Sequence, residues 1–150
     1  MIAVIQRVKN ANVEVEKTII SSINQGLLIL LGITHSDNEE DIEWLVNKIV
    51  NLRIFDDENG IMNKSCIDIN GDIITVSQFT LHARTKKGNR PSYIDAAKPD
   101  IAIPLYEKFI ENMDILLNKK TYSGEFGANM QIELCNDGPV TIIIDTKNKI

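Results

Sequence analysis

Ile2 to Val8 alternates weakly between apolar and polar positions, and Val13 and Val15 alternate cleanly with Asn12, Glu14 and Glu16. A period of two is that of a half-buried strand, so two strands are predicted, joined near Lys9-Asn10. Gly26 then opens Leu27-Leu28-Ile29-Leu30-Leu31, a continuous apolar run expected of a strand buried on both faces. Beyond it the period lengthens. Ser36 and Asp37 offer N-cap side chains, and Glu39 and Glu40 suit a first helical turn. Ile42, Leu45, Val46, Ile49 and Val50 follow at helical spacing, predicting an amphipathic helix to about Leu52. Asp56-Asp57-Glu58-Asn59-Gly60 reads as a turn. Asn70-Gly71 is a hairpin signal, leading into a strand over Ile73-Ile74-Thr75-Val76. Pro99-Asp100 starts a second helix, with Leu105, Phe109, Ile110, Met113, Leu116 and Leu117 as its buried stripe and Lys119-Lys120 at its C-terminal end. Pro104 does not fit mid-helix, so the helix either begins there or is kinked. Met130–Leu134 and Val140–Ile144 predict two closing strands. There is no repeat, low-complexity block or linker. The predicted fold class is α+β (mixed α/β), one domain over residues 1–150, with an antiparallel-rich sheet and two packing helices.

Composition narrows the function classes. A hydrophobic fraction of 43% and a charged fraction of 25% belong to an ordinary soluble globule. A net charge of −5 argues against a dedicated nucleic-acid binder. Charge is uneven, however: Arg84, Lys86, Lys87 and Arg90 cluster just after His82, as either a solvated loop or a phosphate-contacting patch. No apolar run reaches the roughly 20 residues of a membrane span, and no signal peptide is evident. Cys66 and Cys135 are therefore expected as free thiols in a reducing cytosol, and the chain as cytoplasmic. The His and Cys residues have no metal-ligating spacing, so neither a metal nor a cofactor is expected. Ser, His and Asp all occur, but nothing in their spacing supports a catalytic triad.

Asn136-Asp137-Gly138-Pro139-Val140-Thr141 stands between the two closing strands. Pro removes a backbone donor, and an X-Pro bond is the common place for a cis peptide. The segment is either a plain hairpin turn or a rigid main-chain element that grips a small polar ligand through its carbonyls. A second motif, Ser77-Gln78-Phe79-Thr80-Leu81, ends another predicted strand. With these stand Gln6-Arg7-Val8, Gly88-Asn89-Arg90-Pro91-Ser92 and Gly124-Glu125-Phe126-Gly127-Ala128-Asn129-Met130.

In order and spacing these segments resemble the D-aminoacyl-tRNA deacylase family, across essentially the whole chain from Met1 to Asp145. The Ser77–Leu81 segment resembles the D-specific branch rather than the related deacylases of mischarged L-alanyl-tRNA. The resemblance implies a homodimer that hydrolyses the ester between a D-amino acid and the terminal adenosine of tRNA; because glycine has no side chain to exclude, glycyl-tRNA mischarged on tRNA(Ala) is a further expected substrate. It implies that Ser77, Gln78, Phe79 and Thr80 are the catalytic segment, with Phe126, Ala128 and Met130 beside it. It implies that Gly138-Pro139 is cis and enters the partner subunit's site. Contacts to tRNA are expected from Arg7, Arg84, Lys86, Lys87 and Arg90, and no contact with a membrane.

The chemistry is compatible with that expectation. An aminoacyl ester is already activated; it needs an oriented water or hydroxyl and donors aimed at the developing oxyanion. Backbone N–H groups near Phe79 and Thr80, where the strand ends, are suited to that. Thr80 has no base beside it in sequence, which favours a positioning hydrogen bond over nucleophilic attack. Two other readings stand against this one: a general acyl hydrolase with Ser77 or Thr80 as nucleophile, and a non-catalytic dimeric nucleic-acid module using Arg84–Arg90.

Overall fold

The structure, a computed structural model, describes Met1–Ile150. The elements are β1 (Ile2–Val15), β2 (Thr18–Ile23), β3 (Gly26–Gly32), α1 (Glu39–Val50), β4 (Phe55–Asp56), β5 (Met62–Lys64) and β6 (Asp72–Ser77). A 3-10 turn at Phe79–His82 follows, then α2 (Pro99–Leu117), β7 (Tyr122–Ser123) and β8 (Met130–Asp145). The class is α+β, as the pattern predicts.

β1 organises the sheet. One of its edges pairs first with β3, from Ile2↔Gly32 to Val8↔Gly26, and then with β2, from Ala11↔Ile23 to Val15↔Thr18. Along both stretches it also pairs with β8, from Ile2↔Asp145 to Val15↔Met130. The two strands expected on either side of Lys9-Asn10 are therefore one. What the sequence registers there is a change of phase: Arg7 and Val8 are both buried and Lys9 and Asn10 both exposed, so the alternation slips within a continuous strand. Ala3 and Ile5 pack into the larger core under the helices. Ala11 and Val13 pack with Leu28, Ile74 and Val76 in a second core on the other face of β3. β3 sends Leu27, Ile29 and Leu31 to the first core and Leu28 to the second, which is why its run is continuously apolar.

The Asn70-Gly71 signal does not make a hairpin. Asn70 turns the chain with φ of 51°, but β6 then pairs parallel with β3, from Gly26↔Asp72 to Leu31↔Ser77. Ile73, Ile74 and Val76 are all buried, so the strand needs cover on both faces and takes an interior place in the sheet. β7 extends the parallel part, and Ser21 on β2 donates to Ser123 O at 2.6 Å, bringing the two ends of the sheet together.

Asn38 caps α1, rather than Ser36 or Asp37; its side chain accepts from the amides of Glu40 and Asp41, and Asp41 returns the bond. Asp37 instead takes the amino group of Met1 at 2.6 Å, fully buried. α2 starts at Pro99 as expected and continues through Pro104. Its buried side is Ala102, Tyr106, Phe109 and Met113, with Leu116 left 43% exposed, so the stripe lies one step round from the predicted one. Asn118 ends it in a left-handed conformation.

After α2 the chain is tied down by Asp114, whose Oδ1 accepts from the amide of Thr121 at 2.7 Å and its hydroxyl at 2.6 Å. Burial pulls the Asp114 pKa upward, but the Thr121 bonds and the Lys120 ammonium outweigh it and hold the carboxyl below its ordinary 3.8. A depressed carboxylate stabilises the fold above its unfolded pKa, and that contribution is lost as pH falls through the folded value. Asp114→Ala is expected to cost about 1–2 kcal/mol at pH 7, and chemical denaturation at pH 3 should show a smaller gap to the parent chain.

Candidate functional site

The ladder between β3 and β6 runs one residue past the strand, since Gln78 N donates to Leu31 O at 2.8 Å. The chain then winds into the 3-10 turn. Gly32 permits this: a Cβ there would lie 2.9 Å from Leu81 Cβ and 3.1 Å from Gln78 O. The first amides of a 3-10 turn have no acceptor inside it, so Phe79 N and Thr80 N begin the turn as available donors.

Ser77, Gln78 and Phe79 form one wall of a cleft of about 260 Å³, and Phe126, Gly127, Ala128, Met130 and Ile132 line it with them. Leu31, Ile33, Val76, Ala97 and Ala102 complete it. No lining residue is an acid, a base or a cysteine. Thr80 follows on the turn without lining the cleft, and its Oγ1 accepts from the Gln78 amide nitrogen at 2.6 Å. An amide N–H cannot remove a proton, and neither Thr80 nor Ser77 is bonded to an imidazole or carboxylate. The hydroxyls therefore lack the base that an attacking serine or threonine requires. No three His, Cys, Asp or Glu side chains come together as a metal-binding group.

The far wall is set from α2. Tyr106 OH donates to Thr75 O on β6 at 2.8 Å, and its ring meets that of Phe126 edge-on at 5.6 Å between centroids. Burial pushes the Tyr106 phenol up to about 12, so it remains a donor at neutral pH. One side chain thus fixes both the strand that ends in Ser77 and the ring opposite it. The sequence reading missed Tyr106; its helical spacing from Ala102, Phe109 and Met113 was the available signal.

Gly138 and Pro139 do not line this cleft. They lie exposed within β8, and the bond between them is cis. The segment does not form the hairpin turn, one of its two readings, but a bulge in the β1–β8 ladder: between Gln6↔Thr141 and Val8↔Asn136, Arg7 alone faces Asp137–Val140. Asn136 closes the bulge, its Oδ1 accepting from Val140 N at 2.9 Å and its Nδ2 donating to Thr141 Oγ1 at 3.0 Å. Arg7 fills it. The guanidinium donates to Asp137 O at 3.0 Å and Ile54 O at 2.6 Å, and the residue is only 7% exposed. Arg7, one of the expected RNA contacts, thus turns these donors inward onto backbone carbonyls. Gly138 has φ of +133°, and a Cβ on it would lie 3.1 Å from Arg7 Nη2 and 2.9 Å from Val140 Cγ2.

The basic segment is exposed and held at its base. Arg84 and Ser92 exchange backbone bonds of 2.8 and 3.0 Å, and Arg84 grips Asp95 through two bonds of 2.5 and 2.7 Å. That guanidinium holds the Asp95 carboxyl below its usual range. Arg84 is thus paired within the chain, while Lys86, Lys87 and Arg90 point their charge to solvent.

Comparison with known proteins places these features in a wider set. The profile of the family described as D-Tyr-tRNA(Tyr) deacylase matches residues 4–145. A D-aminoacyl-tRNA deacylase of Bacteroides fragilis is 61% identical over 149 residues, covering 99% of each chain. One of Flavobacterium psychrophilum is 62% identical over the same share of both. Among solved structures, one described as c-Myc DNA Unwinding Element Binding Protein superposes with a TM-score of 0.92 at 41% identity, covering 97% of this chain and 98% of that one. A probable eukaryotic D-amino acid tRNA deacylase superposes with a TM-score of 0.83 at 15% identity, covering 95% and 97%, a likeness of fold alone.

Replacing Arg7 by Met keeps roughly the length of the side chain and removes the guanidinium donors from the bulge. Charged hydrogen bonds of this kind contribute about 1.5–3 kcal/mol each. Arg7→Met is expected to lower the unfolding free energy by about 3–6 kcal/mol, for the two carbonyls left without a partner. Amide exchange at Val140, measured by NMR, should accelerate more than exchange at Leu28 in the distant core.

Proposed function

The chain belongs to the D-Tyr-tRNA(Tyr) deacylase family, and on that premise we propose how it hydrolyses the ester bond of D-aminoacyl-tRNA. The ester occupies the cleft between Ser77–Phe79 and Phe126–Met130. The carrying observation is that the cleft is walled by backbone and apolar side chains with no ionisable group among them. Such a site offers an activated ester what it lacks: a dry, fixed position and donors for the charge that develops on its carbonyl oxygen. The Phe79 and Thr80 amides fill that role. Water attacks, guided by the hydroxyl of the substrate's own ribose, and the Gln78–Thr80 hydrogen bond keeps the turn in shape.

Selection of the D form follows from a main-chain clamp on the α-amino group and Cα. Side-chain pockets separate substrates by only about 1–3 kcal/mol per methylene, too little to sort hands across many amino acids. A rigid segment at Cα excludes any L side chain and leaves a D side chain in the open. Glycine has nothing to exclude, so glycyl-tRNA is a substrate as well. Gly138-Pro139 is the segment proposed for this role. Being exposed and outside its own chain's cleft, it acts on the cleft of a second copy. The dimer has physical support in β8, a 16-residue strand paired only with β1, whose other edge lies open for a two-fold partner. Lys86, Lys87 and Arg90 supply phosphate contacts to the acceptor end. The proposed site of the reaction is the cytoplasm. No helix is long and apolar enough to cross a membrane.

Ester loss from matched D- and L-aminoacyl-tRNAs carrying chemically different side chains tests the clamp. The D forms should all be hydrolysed, each at least about 100-fold faster than its L counterpart, a ratio equivalent to about 2.7 kcal/mol. Equal rates for the two hands, or activity confined to one side chain, would overturn it.

Thr80→Ala tests the backbone mechanism. Removing a true nucleophile costs on the order of 10⁶ in kcat, whereas here kcat should stay within about tenfold of the parent because the amides remain. Mass spectrometry of the quenched enzyme should find no acyl adduct. An ester trapped on Thr80, or complete loss of turnover in a folded variant, would instead establish covalent catalysis.

A further inference from the structure

At the mouth of the cleft two aromatic rings stand in water. Phe79 is 56% and Tyr93 40% exposed, and the rings meet edge to face, 5.1 Å between centroids at 77°. Ile94 beside Tyr93 is 68% exposed. Aromatic pairs of this geometry ordinarily belong to cores, where their area is removed from water. Here the fold leaves an apolar patch open at the edge of a ligand cleft, and such patches mark contact surfaces. The segment that carries Tyr93 is also cationic. From Leu81 to Ile94 the chain has no carboxylate, in a protein whose net charge is −5. Asp95 closes the segment and is already paired with Arg84. Lys86, Lys87 and Arg90 are left facing solvent on the same loop as Tyr93.

We propose that Tyr93 is a stacking residue for an unpaired nucleobase at the 3′ end of the tRNA, completing a track from the cleft past Phe79 to the cations of the 84–90 loop. The proposal rests on the deacylase reading above, which puts the ester in the cleft. A single-stranded polynucleotide is recognised by aromatic faces with cations following its phosphates, and that pairing is what this surface presents. An apolar protein segment would use the rings but leave Lys86, Lys87 and Arg90 without counter-charges. The ring is needed for this role and its hydroxyl is not. The half-exposed side chain is also one whose replacement leaves both cores intact.

The test measures binding of uncharged tRNA, intact or trimmed of its unpaired 3′ nucleotides, to the full chain and to Tyr93→Ala, Tyr93→Phe and Tyr93→Leu. The parent chain and Tyr93→Phe should bind intact tRNA about tenfold more tightly than trimmed tRNA, within the range that stacking on one ring contributes. Tyr93→Ala and Tyr93→Leu should lose most of that difference. On D-aminoacyl-tRNA, Tyr93→Ala should raise KM about tenfold and leave kcat unchanged. An intact-to-trimmed ratio unaltered in Tyr93→Ala overturns the proposal. So does retention of the ratio by Tyr93→Leu, which would mark an apolar contact, and so does a fall in kcat at constant KM, which would make Tyr93 a prop for Phe79. Failure of the parent chain to hydrolyse any D-aminoacyl-tRNA would overturn the deacylase reading itself, whatever the variants do to tRNA binding.

Discussion

The guanidinium of Arg7 occupies the gap where β8 has four residues against one of β1. A bulge of that size leaves carbonyls facing inward with no ladder partner, and buried polar groups must be satisfied. Arg7 answers with a fixed fork of donors, one to Asp137 O within the bulge and one to Ile54 O in the connection after α1. Because β1 and β8 are paired from Ile2 to Val15, the bulge is locked from both ends as well. The exposed Gly138-Pro139 pair therefore stands on a stiff base, as the clamp proposed for it would require. The same side chain explains why β1 changes phase: inserting Arg7 makes two successive residues face inward.

The cleft depends on a different constraint, the parallel pairing of β3 with β6. Parallel neighbours bring both C-terminal ends to one side of the sheet, so Gly32 and Ser77 finish together and the following turn packs over the end of β3. The opposite wall comes from the segment between β7 and β8. Tyr106 ties the two halves, bonded to β6 through its hydroxyl and packed on Phe126 through its ring. The site thus takes its shape from backbone geometry and buried contacts, and its walls carry no charge whose ionisation must be tuned. That suits an ester, which departs without prior activation of its leaving group by a strong acid.

Several conclusions were legible in the order of residues alone. Alternation and apolar runs located the strands that face a core, β1, β3, β6 and β8, because the faces of a sheet are sorted by burial, while β2 and the two- and three-residue strands β4, β5 and β7 passed unseen. The 3.6-residue period and the acidic first turn placed α1, and the Pro99 start placed α2. The motif segments at Ser77–Phe79 and Phe126–Met130 are parts that the fold brings into one cleft, and the basic segment from Arg84 to Arg90 stood out by its charge without saying which cations were free.

Tertiary structure decided the rest, for reasons local pattern cannot carry. Asn70-Gly71 has the chemistry of a tight turn, but whether the next strand pairs back or crosses to a parallel neighbour depends on which partner buries both of its faces. Arg7 reads as an exposed charge on a strand until a bulge some 130 residues later supplies carbonyls for it. Asp37 reads as a helix cap until the amino group of Met1 claims it and Asn38 takes over the cap. Tyr106 and Tyr93 read as members of a helix face and a loop, and only packing shows one fastened between the walls of the cleft and the other left open at its mouth. Sequence determined the elements and their chemistry through short-range periodicity; the pairing of distant polar groups, a property of the folded chain, determined what each of them does.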